Sequence, residues 1–216
     1  MIYFRGCTAR EKETGIAEAT ENLLKRAGID YKILDNENCC GSVLFRTGFR
    51  EDAQKQVQKN MEDFNGETIL TSCAGCYKTL KNDYDDVDVI HITQLLEDKI
   101  DELNLSKKDI DVTYHDSCHL SRHCKEYDAP RNVIKKIANL KEMENIKEEA
   151  ICCGAGGGVK SAFPDLADKI AESKLEEIEK TNVEYLLTAC PFCKLNLKDK
   201  SSAKVLDITE FISEVL

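Results

Sequence analysis

Residues 151–163 read ICCGAGGGVKSAF, and two incompatible folds can be drawn from them. Taken from its glycines, the stretch is a phosphate-binding loop opening a nucleotide fold. Taken from its cysteines, it is part of a metal site. The glycine reading fails on spacing. Counting G-x-G-x-x-G from Gly154, the third required glycine falls on Val159. The cysteine reading gains from a second occurrence: Cys152-Cys153-Gly154 matches Cys39-Cys40-Gly41, where no further glycine follows directly. The repeated element is therefore the cysteine pair with its first glycine. Gly156, Gly157 and Gly158 belong to the second occurrence alone, and are expected to line its site through close backbone approach and N–H donors.

Working outward, the whole chain repeats. YFRGC ends at Cys7 and YHDSC at Cys118; TSCAGCYKTL holds Cys73 and Cys76, and TACPFCKLNL holds Cys190 and Cys193. The halves close on VIHITQLLEDKI and VLDITEFISEVL. Matching cysteines are offset by 111, 113, 117 and 117 positions, a drift too small for chance. Ten of the eleven cysteines obey the pattern, and only Cys124 lies outside it. Two cysteine-rich domains are expected, over 1–105 and 106–216.

Between the cysteines, short β-branched and aliphatic runs read as strands: MIYFRG, DYKILD, ETILTS and VDVIHIT, then DVTYHD, VEYLLTA and AKVLDIT. Helical stretches cover 11–28, 52–64 and 164–181, the first ending on Gly28 and the last opening on Pro164. This alternation indicates an α/β fold of two pseudo-duplicated halves, each with a small, mostly parallel sheet flanked by helices. Sites in such sheets form at the carboxyl ends of strands. Cys7, Cys73, Cys118 and Cys190 each come just after an expected strand.

A net charge of −10 argues against non-specific nucleic-acid binding. No run approaches the ~18 apolar residues of a membrane span, and the N-terminus lacks the form of a signal peptide, so a cytoplasmic location is expected. In a reducing compartment clustered cysteines are metal ligands or redox groups. Five thiolates per half are one too many for a simple tetrahedral zinc site, and an adjacent pair aims poorly at one small ion. Thiolates also suit iron–sulfur clusters, but the compact ferredoxin run of cysteines is absent.

The stretches CCGSVLFRTGF, TSCAGCYKTLKNDY, VTYHDSCHLSRH, CCGAGGGVKSAFPDLADKIA and ACPFCKLNL resemble the cysteine-rich CCG-domain family. Within it they are most similar to the catalytic subunits of methanogen heterodisulfide reductase, in their B and D forms. The resemblance covers nearly the whole chain. It implies two non-cubane 4Fe-4S clusters, one held by Cys7, Cys39, Cys40, Cys73 and Cys76, the other by Cys118, Cys152, Cys153, Cys190 and Cys193. It also implies reductive cleavage of a small disulfide substrate, such as the heterodisulfide of coenzymes M and B, between the clusters. Relatives with the same motifs serve as iron–sulfur subunits of glycerol-3-phosphate, lactate and thiol:fumarate systems, so pure electron transfer is the alternative.

The D form usually carries a ferredoxin domain ahead of these repeats. This sequence starts with the first strand and has no cubane motif, so electrons are expected from a separate subunit with ferredoxin-type clusters. The resemblance leaves room for a membrane cytochrome among the partners. His119, beside Cys118, is the candidate catalytic proton donor. Its plainer reading is a hydrogen bond to a site sulfur or core packing. For His115 and His123 the plainer reading is preferred, and His91 is read as structural. Cys124 is expected to pack as a hydrophobe. Arg46, Lys78, Arg122 and Lys160 are the cations near the motifs that could meet an anionic substrate.

Overall fold

A computed structural model describes residues 1–216. The first half runs β1 (Ile2–Tyr3), α1 (Cys7–Glu11), α2 (Thr14–Arg26), α3 (Ser42–Thr47), α4 (Arg50–Phe64), β2 (Ile69–Thr71), α5 (Ala74–Asn82), β3 (Val89–His91) and α6 (Ile92–Lys99). The second runs β4 (Asp111–His115), α7 (Ser121–Cys124), α8 (Asp128–Ile137), β5 (Asn139–Leu140), α9 (Val159–Ala162), α10 (Pro164–Glu179), β6 (Tyr185–Thr188), α11 (Pro191–Leu197), β7 (Lys204–Asp207) and α12 (Ile208–Val215). Six helices of one half answer six of the other in the same order. Both sheets are wholly parallel, ordered β1-β2-β3 and β5-β4-β6-β7. The fold is thus α/β with two small flanked sheets. The central strands are buried on both faces, which is why they read as unbroken aliphatic runs rather than alternating ones.

Two expectations need correcting. DYKILD forms no strand; Lys32 makes a single bridge to Ile2, through Tyr3 N–H to the Lys32 carbonyl and Lys32 N–H to the Met1 carbonyl. The segment lies half-exposed at the sheet edge, beside a β1 only two residues long, so there is no ladder for it to extend. Its counterpart β5 pairs with two residues of β4 and was not marked by the sequence pattern. The expected helix over 11–28 is divided, with α1 ending at Glu11 before α2 begins. α2 stops as Gly28 suggested. Gly28 sits one residue beyond the cap at φ +64°, with Gly28 N–H bonded to the Lys25 carbonyl and Ile29 N–H to that of Leu24, a Schellman closure.

The halves interlock. α6, the last helix of the first half, packs on α8 of the second, while α12 packs on α2 of the first. Polar bonds tie both joints: Gln94 to Glu126 (2.7 Å), and a buried Glu13 to Lys194 (2.9 Å) and Lys198 (2.6 Å), with Lys194 also on Glu210 (2.6 Å). The principal apolar core is shared, joining Tyr3, Leu70 and Ile92 to Tyr114, Leu187 and Phe211. A smaller core under the first sheet gathers Ile2, Phe4, Phe64 and Tyr84. This reciprocal packing turns the carboxyl ends of both sheets toward each other.

Candidate metal centre

The two glycine-following cysteine pairs are built alike, and the backbone explains the glycine. Gly41 (φ +80°) and Gly154 (φ +86°) occupy the left-handed region, and each donates its N–H to the first sulfur of its pair, Cys39 Sγ and Cys152 Sγ, at 3.4 Å. At Gly154 a Cβ would also lie 2.5 Å from the Ala167 carbonyl oxygen. Further carbonyls of the pairs are held by side chains from elsewhere. Asn60 donates to the Cys39 carbonyl (2.9 Å), Tyr84 to that of Cys40 (3.1 Å) and Asn196 to that of Cys153 (2.6 Å). Sequence reasoning missed all three. Asn196 could have been found, lying three residues after Cys193 on one helix face; Asn60 and Tyr84 give no local signal.

The C-x-x-C motifs open helices. Cys73 caps α5 and its sulfur accepts from Cys76 N–H (3.5 Å); Cys190 holds the same place before α11, with Pro191 at the first helical position. The loops before Cys7 and Cys118 are fastened to the cysteine-pair loops by buried carboxylates. Glu37 accepts from the backbone of Arg5 and Gly6 (both 2.9 Å). Asp116 is clasped by Arg131 (2.8 and 2.6 Å) and accepts from Lys147 N–H (2.8 Å).

All ten patterned cysteines line one cavity of about 420 Å³. Cys7 and Cys39 sulfurs stand 4.0 Å apart. A Cβ on Gly6 would come within 2.8 Å of Cys76 Sγ, so the chain there approaches a sulfur as only glycine can. The thiols perturb one another in a chain that crosses from one half to the other. Cys73 is pushed up chiefly by the neighbouring Cys190 thiol, and Cys190 is held down by those of Cys193 and Cys73. Cys118 is raised chiefly by the neighbouring Cys152 thiol and by burial; Cys152 is lowered by Cys118, Cys153 and the Gly154 N–H. Cys153, beside the Cys152 sulfur, is pushed up to about 12. Most of the thiols are pushed up, because so many thiolates cannot ionise together without cations among them.

His119 stands on the wall between this cavity and a second, more open one of about 740 Å³. Its Nδ1 is 3.6 Å from Cys118 Sγ, and its ring centre lies 5.5 Å from that of His123. Burial lowers its pKa, against an opposing pull from Cys190. The second cavity carries Arg46, Arg50, Lys78 and His123, with one acid, Asp83, bonded to Arg46 (3.3 Å) and Lys78 (2.8 Å). Arg122 instead donates to the Ala150 carbonyl (2.7 Å), and Lys160 pairs with Asp168 (2.7 Å) at the rim. Cys124 lines neither cavity and packs half-buried against the shared core. His91 is fully buried, with Nδ1 2.8 Å from Thr93 Oγ1 as the cap of α6. His115 is buried with both ring nitrogens unpartnered, and lies within 4.8 Å of the sulfurs of Cys153 and Cys193.

Two stretches of the chain, 1–81 and 112–198, match the model of the CCG cysteine-rich domain.

The chain belongs to the CCG cysteine-rich domain family.

It is 40% identical over its full length to the D-type component of the dihydromethanophenazine:CoB–CoM heterodisulfide reductase of Methanosarcina acetivorans, covering 59% of that protein. The B-type component of the CoM/CoB fumarate reductase of Methanothermobacter marburgensis is 35% identical over 97% of this chain and 45% of its own. The EtfAB:quinone oxidoreductase of Syntrophomonas wolfei is 32% identical over 98% of this chain and 34% of its own. The CCG chain thus spans about three-fifths or less of the length of these curated relatives. No helix is long and apolar enough to cross a membrane. An iron–sulfur centre suits the donor set. Thiols converge without disulfides, glycines leave room against the sulfurs, and a buried imidazole lacks any partner within the protein.

Proposed function

We propose that the two cysteine sets, Cys7, Cys39, Cys40, Cys73, Cys76 and Cys118, Cys152, Cys153, Cys190, Cys193, each hold a 4Fe-4S cluster of non-cubane type. Between them, this iron–sulfur oxidoreductase unit reduces a small disulfide. The carrying observation is the opening of both sets into one cavity, with Cys73 and Cys190 adjacent at the junction. Disulfide cleavage consumes two electrons and two protons and yields two thiols. Bound clusters would supply the electrons one at a time and bind thiolate products. The protein's part is to bring both centres to one substrate, keep bulk water from the sulfurs, and deliver protons.

His119 is the proton-handling residue of this reading. Burial lowers its proton affinity at rest. Negative charge entering the cavity raises its proton affinity, and the second cavity connects it to solvent. The cations Arg46, Arg50 and Lys78 in that cavity suit a substrate with anionic ends, as in the coenzyme M–coenzyme B disulfide. The repeats are assigned as domains 1–105 and 106–216, in a cytoplasmic protein. Electrons come from a partner protein with ferredoxin-type clusters, in keeping with relatives that are themselves named as subunits of reductases. Likeness to a quinone oxidoreductase favours a second reading, in which the chain relays electrons and has no disulfide substrate.

Protein purified without oxygen should hold about eight irons and eight sulfides per chain. Adding the disulfide to oxidised or partly reduced protein should alter the paramagnetic resonance of a cluster. Stoichiometric zinc without sulfide refutes the iron–sulfur assignment. Full iron with no response to any related disulfide selects the relay.

A further inference from the structure

The internal repeat allows the two sites to be compared residue by residue. At the carboxyl end of the first sheet, Thr71 is in register with His91, and Phe4 N–H bonds the Leu70 carbonyl beside them. At the same level of the second sheet, His115, Thr188 and Asp207 stand in register across β4, β6 and β7. The offset that relates Cys7 to Cys118 carries Phe4 onto His115. A phenyl ring packed among Ile2, Phe64 and Tyr84 in one half is therefore an imidazole in the other.

That imidazole is costly where it stands. His115 is 1% exposed, and neither nitrogen finds a donor or acceptor in the protein. A buried N–H without a partner gives up its hydrogen bond to water and gains nothing in exchange. The sulfurs of Cys153 and Cys193 lie within 4.8 Å of it without accepting a hydrogen bond, on the side where the second cysteine set converges. No histidine is grouped with sulfurs of the first set in this way. Of the polar groups near that set, Thr8 Oγ1 lies 4.0 Å from Cys7 Sγ, and Tyr84 spends its hydroxyl on the Cys40 carbonyl and the Asn60 amide.

We propose that His115 donates its ring N–H to a sulfur of the centre held by the second cysteine set, making the two centres electronically unequal. A hydrogen bond to cluster sulfur stabilises the more negative, reduced state and raises the reduction potential. The second centre is then the more easily reduced, while the first, faced by Phe4, is the weaker acceptor. The inference rests on the iron–sulfur reading above. It gives His115 a positioning and tuning role, distinct from the proton-handling assigned to His119.

The test compares native protein with His115→Phe, which copies the first half, and His115→Gln, which keeps an N–H donor. All three are purified anaerobically, assayed for iron and sulfide, and titrated potentiometrically by paramagnetic resonance. With iron retained, His115→Phe should lower the midpoint of one centre and leave the other in place. His115→Gln should fall between. Protein labelled with ¹⁵N-histidine should show a weak nitrogen coupling at one centre, with an exchangeable proton, that disappears in His115→Gln. Unchanged midpoints in fully loaded His115→Phe overturn the proposal, as does a strong coupling of directly bonded nitrogen, which would make His115 a ligand. Should His115→Phe not load, the labelled native and His115→Gln spectra decide; a coupling absent from the first or unchanged in the second overturns it. Native protein without iron and sulfide removes the underlying reading itself, an outcome visible before any variant is made.

Discussion

Alanine at Gly154 separates the two reasons a glycine follows each cysteine pair. The substitution forces an L-residue to φ +86°, which costs about 1–2 kcal/mol. It also sets a Cβ 2.5 Å from the Ala167 carbonyl oxygen and 3.1 Å from Ile170 Cβ, both on α10. The oxygen belongs to helix backbone and cannot swing away, so overpacking adds about 1–3 kcal/mol. The sum, about 2–5 kcal/mol, lowers the melting temperature by roughly 4–20 °C in a chain of this size. Two neighbours supply the controls. Gly157 has φ +64° but open space around it, so Gly157→Ala should lose only the backbone share, about 1–2 kcal/mol. Gly156 lies outside the left-handed region and meets only His119 Cε1 at 3.8 Å, so Gly156→Ala should change stability by less than about 0.5 kcal/mol. Urea titration of reduced, metal-free protein by circular dichroism measures all three under anaerobic conditions. If Gly154→Ala is no less stable than Gly157→Ala, the close approach to α10 does not explain the residue.

Four further outcomes are expected. Cys73→Ser should lose up to about half of the bound iron, whereas Cys124→Ser should lose none; equal losses would place Cys124 in the site. Burial raises the Asp207 carboxyl to about 7, above its value near 4 in an unfolded chain. A carboxyl that holds its proton more tightly when folded stabilises fully below about pH 4 and loses that contribution as pH rises through 7. Asp207→Asn, which can still cap α12, should therefore gain stability relative to the native protein between pH 4 and 8, by at most about 4 kcal/mol, and a flat difference in denaturation midpoints refutes this. Glu13→Ala breaks a buried ion cluster joining the halves and should cost about 3 kcal/mol. For the same reason, residues 1–105 expressed alone should show no cooperative unfolding transition; independent folding would contradict the interlocked core.

Much of the molecule was legible in one dimension because its signals are local. The repeat, the division of ten cysteines into two sets and the parallel α/β alternation come from spacing and from aliphatic runs bounded by turns. The end of α2 at Gly28 and the start of α10 at Pro164 follow from which backbone angles those residues accept. DYKILD carried the same local signal and still made only a bridge, since a strand needs a neighbour long enough to pair with. The placement of His115 was not legible either. Its sequence position is that of a strand residue near a cysteine. Only the register of β4 with β6, and the return of Cys153 and Cys193 from 38 and 78 residues further along, surround it with sulfur. The sequence alone also determined that there are two cysteine sets, but not that they face each other. That depends on α6 crossing to α8 and α12 to α2, contacts between residues far apart in the chain, whose energy comes from burying apolar faces that could in principle have been covered in other ways. Tertiary packing made one shared cavity of what the chain writes as two separate motifs.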